Sequence, residues 1–333
     1  MNILITGGTG SLGNALVSEL IHSPTFERIC IYSRDEHKQE QMRVKYNNNP
    51  KLRFFIGDIR DKDRLTLACK NIQLIVHTAA LKIVPTAEYN PFEALKTNVI
   101  GAQNLIEAAI ANNHMVYPTG YPKVLAISTD KAVHPINLYG ATKLCAEKLF
   151  IDANNIMGKH GPRFSVARYG NVSNSNGSVI PLFKSQVTKG KQLTITHDHM
   201  TRFWITLDQA VSLIKYSLDT MHGGEIFVPK MNAFNVKDLA MVMMDSYLPE
   251  KKWCEVIGIR PGEKLHEEII TREEMETTRF DAANSTYIIA NVSVSQDAIM
   301  DNKNAITSDN VYRYTEPEIR TLLTKLGVFD GQV

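Results

Sequence analysis

Two residues four apart, Tyr139 and Lys143, can do redox chemistry together. On a helix this spacing puts both side chains on one face. The Lys143 ammonium would then lower the Tyr139 phenol from its ordinary pKa of about 10. A phenolate can take a proton from a sugar hydroxyl while hydride leaves the same carbon. The pair lies just after a predicted strand that ends Ser128-Thr129, and well downstream of a glycine loop.

That loop runs Thr6-Gly7-Gly8-Thr9-Gly10-Ser11-Leu12-Gly13, with glycines at 7, 10 and 13. Glycines allow a tight turn and let backbone N–H groups approach a pyrophosphate at a helix N-terminus. The loop follows a predicted strand and precedes a predicted helix, the context a dinucleotide requires. The second predicted strand ends at Ser33-Arg34, not at an acidic residue. A guanidinium there suits a 2′-phosphate, and Lys38 adds a cation one helical turn later, so NADP is the expected cofactor. Asp58, before Ile59, is placed to accept from an adenine amino group. Thr78-Ala79 follows the fourth strand with side chains small enough to lie against a cofactor.

These groups need a frame. Short apolar runs at 2–6, 28–32, 52–56, 74–77, 124–127 and 165–167 alternate with stretches of helical spacing, including one at 94–112. The alternation predicts an α/β fold, a Rossmann-type doubly wound parallel sheet. Residues 1–170 are expected to bind NADP and carry the catalytic residues. Residues 171–333 are expected to form mainly a smaller substrate-binding lobe, with the chain free to cross between the two. The segment 112–123, rich in Pro, Gly and Tyr, reads as a surface insertion.

Composition narrows the alternatives. Lys and Arg number 37 against 35 Asp and Glu, which gives no reason to expect nucleic acid or a membrane surface. Lys251-Lys252 reads as a solvated face. No apolar run approaches the length of a membrane span. The first apolar run leads into the glycine loop, so no signal peptide is expected. The cysteines at 30, 69, 145 and 254 are scattered, which argues against zinc or a disulfide framework and for reduced thiols in a cytoplasmic compartment.

Taken together, TGGTGSLG, YSRDE, GDIRD, HTAALK, STDKA, NLYGATK, RYGNV, MTRFWIT and GIRPGEKLHE resemble the UDP-N-acetylglucosamine 4,6-dehydratases. These are extended short-chain dehydrogenase/reductases, and the inverting branch is the most similar. The likeness runs from Ile3 to about Glu268 and is weak over the last sixty or so residues. It implies a UDP-sugar substrate, C4 oxidation with Tyr139 as base, loss of water across C5 and C6, and return of hydride to C6. It gives Lys131 the C5 proton and Asp130 the departing 6-hydroxyl. A base near C5 and an acid near O6 can both come from neighbours on one loop, provided the lysine pKa is depressed.

The resemblance also places Lys82, Thr129, Asn171, Val179, Thr194, Arg202, Arg260 and Glu263 at the substrate. Asn98 falls beside the cofactor, and the arginines suit a diphosphate. A homo-oligomer is implied as well. The chain departs from the pattern at Ile83, where histidine is usual, and at Asn176, where a cation is usual. Three rival readings stay open: a nucleotide-sugar 4-epimerase or 4-reductase, a retaining 4,6-dehydratase, and a non-catalytic NADP-sensing protein.

Overall fold

The computed structural model describes residues 1–112, 120–158, 160–173, 178–247, 254–290 and 304–330. Most of the 112–123 insertion, Asn176 and the Lys251-Lys252 pair lie outside these residues.

The central sheet begins with β1 (Asn2–Thr6), β2 (Arg28–Ser33), β3 (Leu52–Ile56), β4 (Leu74–His77), β5 (Lys123–Thr129) and β6 (Arg163–Tyr169). All six are parallel, in the order β3-β2-β1-β4-β5-β6. Ile3 pairs with Ile29 on one side and with Leu74 on the other. Ile3, Leu4 and Ile5 are fully buried, as expected of a parallel strand covered on both faces. The strand order reverses between β1 and β4, and the carboxyl ends of strands at such a point open a crevice for ligands.

The chain then crosses back. Ile226–Pro229 adds to β6 in parallel, and the strands Thr286–Ile289 and Thr278–Asp281 follow antiparallel. Among the described residues the sheet therefore has nine strands, three of them from beyond residue 170. A separate core holds the smaller lobe. Phe183, Leu193, Trp204, Phe234, Leu239, Met243, Ile319 and Leu323 pack together there, each at most 3 % exposed. Burying each such side chain contributes about 1.5–3 kcal/mol. The strand Thr201–Ile205 runs between Asn171–Val172 and Asn232–Asn235, and its five residues are all buried.

The helical stretch expected at 94–112 is not one uniform helix. A π-helical turn, Lys96–Ile100, interrupts it between helices Pro91–Leu95 and Gly101–Ala111. Such turns recur at functional sites. Among the described residues no helix is long and apolar enough to cross a membrane. No cluster of His, Cys, Asp or Glu is arranged among them to hold a metal. The cysteines are free, and burial pushes the Cys30 and Cys69 thiols up to about 11 and 12.

Candidate active site

A cleft of about 1360 Å³ opens at the switch point and continues under the smaller lobe. It exceeds the usual range for one drug-sized ligand, roughly 300–1,000 Å³. One wall is Gly7, Thr9, Gly10, Ser11 and Leu12, the turn into helix Ser11–Leu20. Gly7 has φ +67°, and a Cβ there would come within 2.8 Å of the Ala79 backbone. Gly13 lies behind the wall. A Cβ on it would sit 2.3 Å from the Gly8 carbonyl oxygen, so only glycine lets the helix pack on the loop. Gly10 occupies the N-cap without a side-chain hydrogen bond, which leaves first-turn N–H groups for an anion.

The far end of this wall carries Ser33, Arg34, Lys38, Asp58 and Ile59. Gln39 donates to the Ser33 hydroxyl and carbonyl and to the Phe55 carbonyl, fixing the strand end. Arg34 is exposed and lies 3.8 Å from Asp58. Burial pushes the Asp58 carboxyl up, but the Arg60 hydrogen bonds and charge outweigh it and leave it below the usual range. Lys38 stands 3.5 Å from Asp35, whose carboxylate caps the next helix. Thr78 donates to the Thr6 carbonyl at 2.7 Å and, with Ala79, closes the opposite side.

Asn98 has a different place from the one expected. It is 2 % exposed, and its amide bonds both backbone groups of Leu81 and the Thr142 hydroxyl. Thr97, its neighbour in the π turn, lines the cleft instead. Asn98 thus fastens the Lys82 loop to the helix that carries Tyr139.

That helix, Leu138–Met157, starts at Asn137, whose side chain accepts from the Gly140 N–H at 2.8 Å. A Cβ on Gly140 would lie 2.1 Å from the Lys131 carbonyl oxygen, so glycine brings the helix against the Lys131 loop. Tyr139 and Lys143 both line the cleft. The expected activation is opposed by burial, which pushes the phenol up to about 12. The groups that lower it are Lys131, by charge, and Thr129, by a hydrogen bond. Burial also pushes the Lys143 ammonium down to about 8, while it donates to the Ile127 carbonyl at 2.7 Å.

Beside Tyr139 is a buried charge cluster. The Lys131 Nζ lies 3.0 Å from Asp130, 3.2 Å from Glu267 and 3.4 Å from the Asn171 side-chain oxygen. The depressed lysine pKa expected from the sequence is not found. Burial pulls it down, but the two carboxylates outweigh that and hold it above the ordinary value. Asp130 is fully buried and does not line the cleft, whereas Lys131 and Glu267 do. Burial and the charge of Glu267 raise the Asp130 carboxyl, against the pull of Lys131.

The smaller lobe supplies Val179, Thr194, Arg202, Arg260 and Glu263 to the cleft. Val179 starts a second helix whose N-terminus faces the cleft, and the buried Ser178 hydroxyl before it has no partner among the described residues. Thr194 accepts from Gln186 at 2.9 Å. Arg202 is only 7 % exposed, and its donors go to Thr201, Glu263, Lys264 and Leu265. It secures the segment 263–267 and is not presented for a diphosphate, while the exposed Arg260 stands at the cleft wall. Glu267 was missed in the sequence. It is 136 residues from Lys131, and nothing in GEKLHE distinguishes it from a surface glutamate.

With this geometry in hand, the relatives are informative. The model of a polysaccharide biosynthesis protein family matches residues 3–289. The inverting UDP-N-acetylglucosamine 4,6-dehydratase of Campylobacter jejuni is 49% identical over 278 residues, covering 83% of this chain and 79% of that protein. The UDP-glucose 4-epimerase of Rickettsia conorii is 45% identical over 276 residues, covering 82% and 78%. Among solved structures, Pen from Bacillus thuringiensis superposes with a TM-score of 0.89 at 36% identity, covering 98% of both chains. The chain therefore belongs to the polysaccharide biosynthesis protein family, among the extended short-chain dehydrogenase/reductases.

Proposed function

We propose that this chain is a hydro-lyase that converts UDP-N-acetylglucosamine to a 4-keto-6-deoxy sugar, with inversion at C5 and NADP as a recycled cofactor. The observation that carries this reading is the Asp130–Lys131 pair beside Tyr139. An epimerase needs Tyr139 and Lys143 but has no use for a second acid–base pair beside them. A sensor needs neither.

The cleft fits the ligands. It offers two helix N-termini, at Ser11 and Val179, one for each of two diphosphates. The exposed Arg34 and Lys38 at the end of β2 favour a 2′-phosphate. When bound, the nicotinamide supplies a hydride acceptor at C4 and a donor at C6.

The chain's own residues move the protons. Tyr139 first loses its own proton to solvent through the cleft and then takes the C4 hydroxyl proton, and the Lys131 charge and the Thr129 hydrogen bond stabilise its phenolate. The ketone then acidifies the C5 proton, which Lys131 takes. Lys131 is protonated at rest, so it must first give up a proton. The adjacent Asp130 oxygen, 3.0 Å away, is placed to receive it. That transfer turns an ion pair into an amine base and a buried carboxylic acid, whose proton can pass to the leaving 6-hydroxyl through the Thr129 hydroxyl, which bonds Asp130 at 3.0 Å and lines the cleft.

Purified protein given UDP-N-acetylglucosamine is expected to yield a product lighter by one water, with no net change in reduced nicotinamide. A product of unchanged mass would favour the epimerase reading. We also propose a homo-oligomer, supported by the exposed apolar side chains of Tyr89, Phe92 and Ile156. Light scattering would detect it.

A further inference from the structure

The segment 262–268 is fastened to the Lys131 loop at four points. Lys131 meets Glu267 at 3.2 Å, Lys264 donates to the Val133 carbonyl at 2.6 Å, His134 meets Glu268 at 2.7 Å, and Asn137 donates to the Gly262 carbonyl at 2.8 Å. From the other side Arg202 holds Glu263, Lys264 and Leu265, with its Nε 3.8 Å from the Glu267 carboxylate. Buried Ser308 fixes the Glu267 backbone twice. Its hydroxyl accepts from the Glu267 N–H at 2.9 Å, and its N–H donates to the Glu267 carbonyl at 2.7 Å. Glu267 is 3 % exposed, and its second carboxylate oxygen is buried without a partner among the described residues. A buried carboxylate held this tightly on a cleft wall calls for a role.

We propose that Glu267 is the positioning residue of the elimination step, holding the Lys131 side chain between itself and Asp130 and keeping within the cluster the one proton that Lys131 and Asp130 exchange. The proposal rests on the dehydratase reading and deepens it.

The charges around the trio define the argument. Asp130 comes from the end of β5, Tyr139 from the catalytic helix, Arg202 from the strand Thr201–Ile205, and Glu263 and Lys264 from the fastened segment. Glu267 has three cations, Lys131, Arg202 and Lys264, and these outweigh its burial and keep it ionised. Asp130 has the Lys131 cation and the Thr129 hydroxyl beside it, these do not outweigh its burial, and the charge of Glu267 raises it further. Two carboxylates in one site are thereby pushed apart, one to stay charged and one able to carry a proton. Removing the Glu267 charge lowers the affinity of both Lys131 and Asp130 for that proton, so the cluster loses it to solvent at lower pH.

The test is Glu267→Gln. In the dehydration assay kcat is expected to fall roughly tenfold or more, with KM within about twofold. The alkaline limb of the kcat profile is expected to move down by about one pH unit. C4 oxidation should persist, seen as reduced cofactor accumulating at 340 nm in a single turnover. Glu267→Asp keeps the charge and should restore the limb even if turnover stays low. Direct titration of the Lys131 ammonium by carbon-13 NMR without substrate, assigned with Lys131→Arg, should show its midpoint lowered in Glu267→Gln. An unchanged midpoint or an unmoved alkaline limb overturns the proposal. So does a loss shared equally by C4 oxidation and elimination. If wild-type protein makes no ketone, the dehydratase reading fails, and the titration still decides whether Glu267 controls the Lys131 proton. Should Glu267→Gln not fold, Ser308→Ala, which loosens the Glu267 backbone, is read by the same limb and midpoint.

Discussion

Arg168 is the side chain whose loss should cost the fold most. It is 2 % exposed in β6 and makes five hydrogen bonds, two to Glu147, two to Glu274 and one to the Ile269 carbonyl. Glu147 lies on the catalytic helix one turn beyond Lys143, and Glu274 closes the capping box at Thr271. One guanidinium thus ties the sheet, the helix of Tyr139 and the returning C-terminal chain together. Arg168→Met removes the cation and leaves two carboxylates facing each other, the Glu147 side chain 2% exposed and that of Glu274 23%. Breaking such a buried arrangement costs about 3–5 kcal/mol, a large part of a total near 5–15 kcal/mol.

Urea unfolding followed by tryptophan fluorescence should show the midpoint falling accordingly. Adding Glu147→Gln should recover part of the loss, because an amide then replaces an orphaned carboxylate. The pH dependence has a definite sign. Burial pushes the Glu274 carboxyl up, but Arg168 outweighs that and leaves it below its ordinary value. A depressed folded pKa contributes stability that is present above the unfolded value, about 4.3, and lost as pH falls through the folded one. That acid limb should flatten in Arg168→Met. A destabilisation under about 1 kcal/mol, or no recovery with Glu147→Gln, would refute the reasoning.

The other predictions concern the ligands. Gly13→Ala would set a Cβ 2.3 Å from the Gly8 carbonyl oxygen, so the glycine loop must move; the thermal shift on adding NADP should vanish, and a retained shift would count against the loop assignment. Arg34→Ser should weaken NADP about 10- to 100-fold by calorimetry, the value of one charge-assisted contact, and change NAD little; equal weakening of both would remove the basis for NADP. Lys131→Ala should still oxidise C4, seen as reduced cofactor at 340 nm, but form no 6-deoxy product; normal dehydration would remove Lys131 from the elimination.

Much of the frame was legible because it rests on local patterns. The runs at 2–6, 52–56 and 74–77 coincide with β1, β3 and β4 residue for residue: β1 and β4 are parallel strands with buried apolar centres, and the edge strand β3 still carries Leu52, Phe54, Phe55 and Ile56. The glycine loop and the Tyr139/Lys143 spacing carry their geometry in a few consecutive residues, and Gly7, Thr9, Gly10, Ser11, Leu12, Tyr139 and Lys143 all reach the cleft. What stayed hidden depends on distant chain. The strands at 226–229, 278–281 and 286–289 join the main sheet through pairings that no local pattern announces. The π turn around Asn98 looks like continuous helix because its apolar spacing barely changes. The protonation of Lys131 could not be read either. Burial alone argues for an amine, and the charges of Asp130 and then of Glu267, which arrives from the smaller lobe, reverse that balance. Arg202 looked like a diphosphate ligand because its type suits one, yet its donors are spent on the segment that carries Glu267.

In the proposed function, Asp130 and Lys131 turn a reversible C4 oxidation into a dehydration with inversion. Proton NMR of the wild-type reaction with UDP-N-acetylglucosamine in deuterated water tests it most directly. The account predicts a 4-keto-6-deoxy product carrying one deuterium at C5, with H6 signals retained from the C4 hydride and coupling constants of the inverted C5 configuration. A C4 epimer with no deuterium at C5, or a dehydrated product with C5 unchanged, would contradict it.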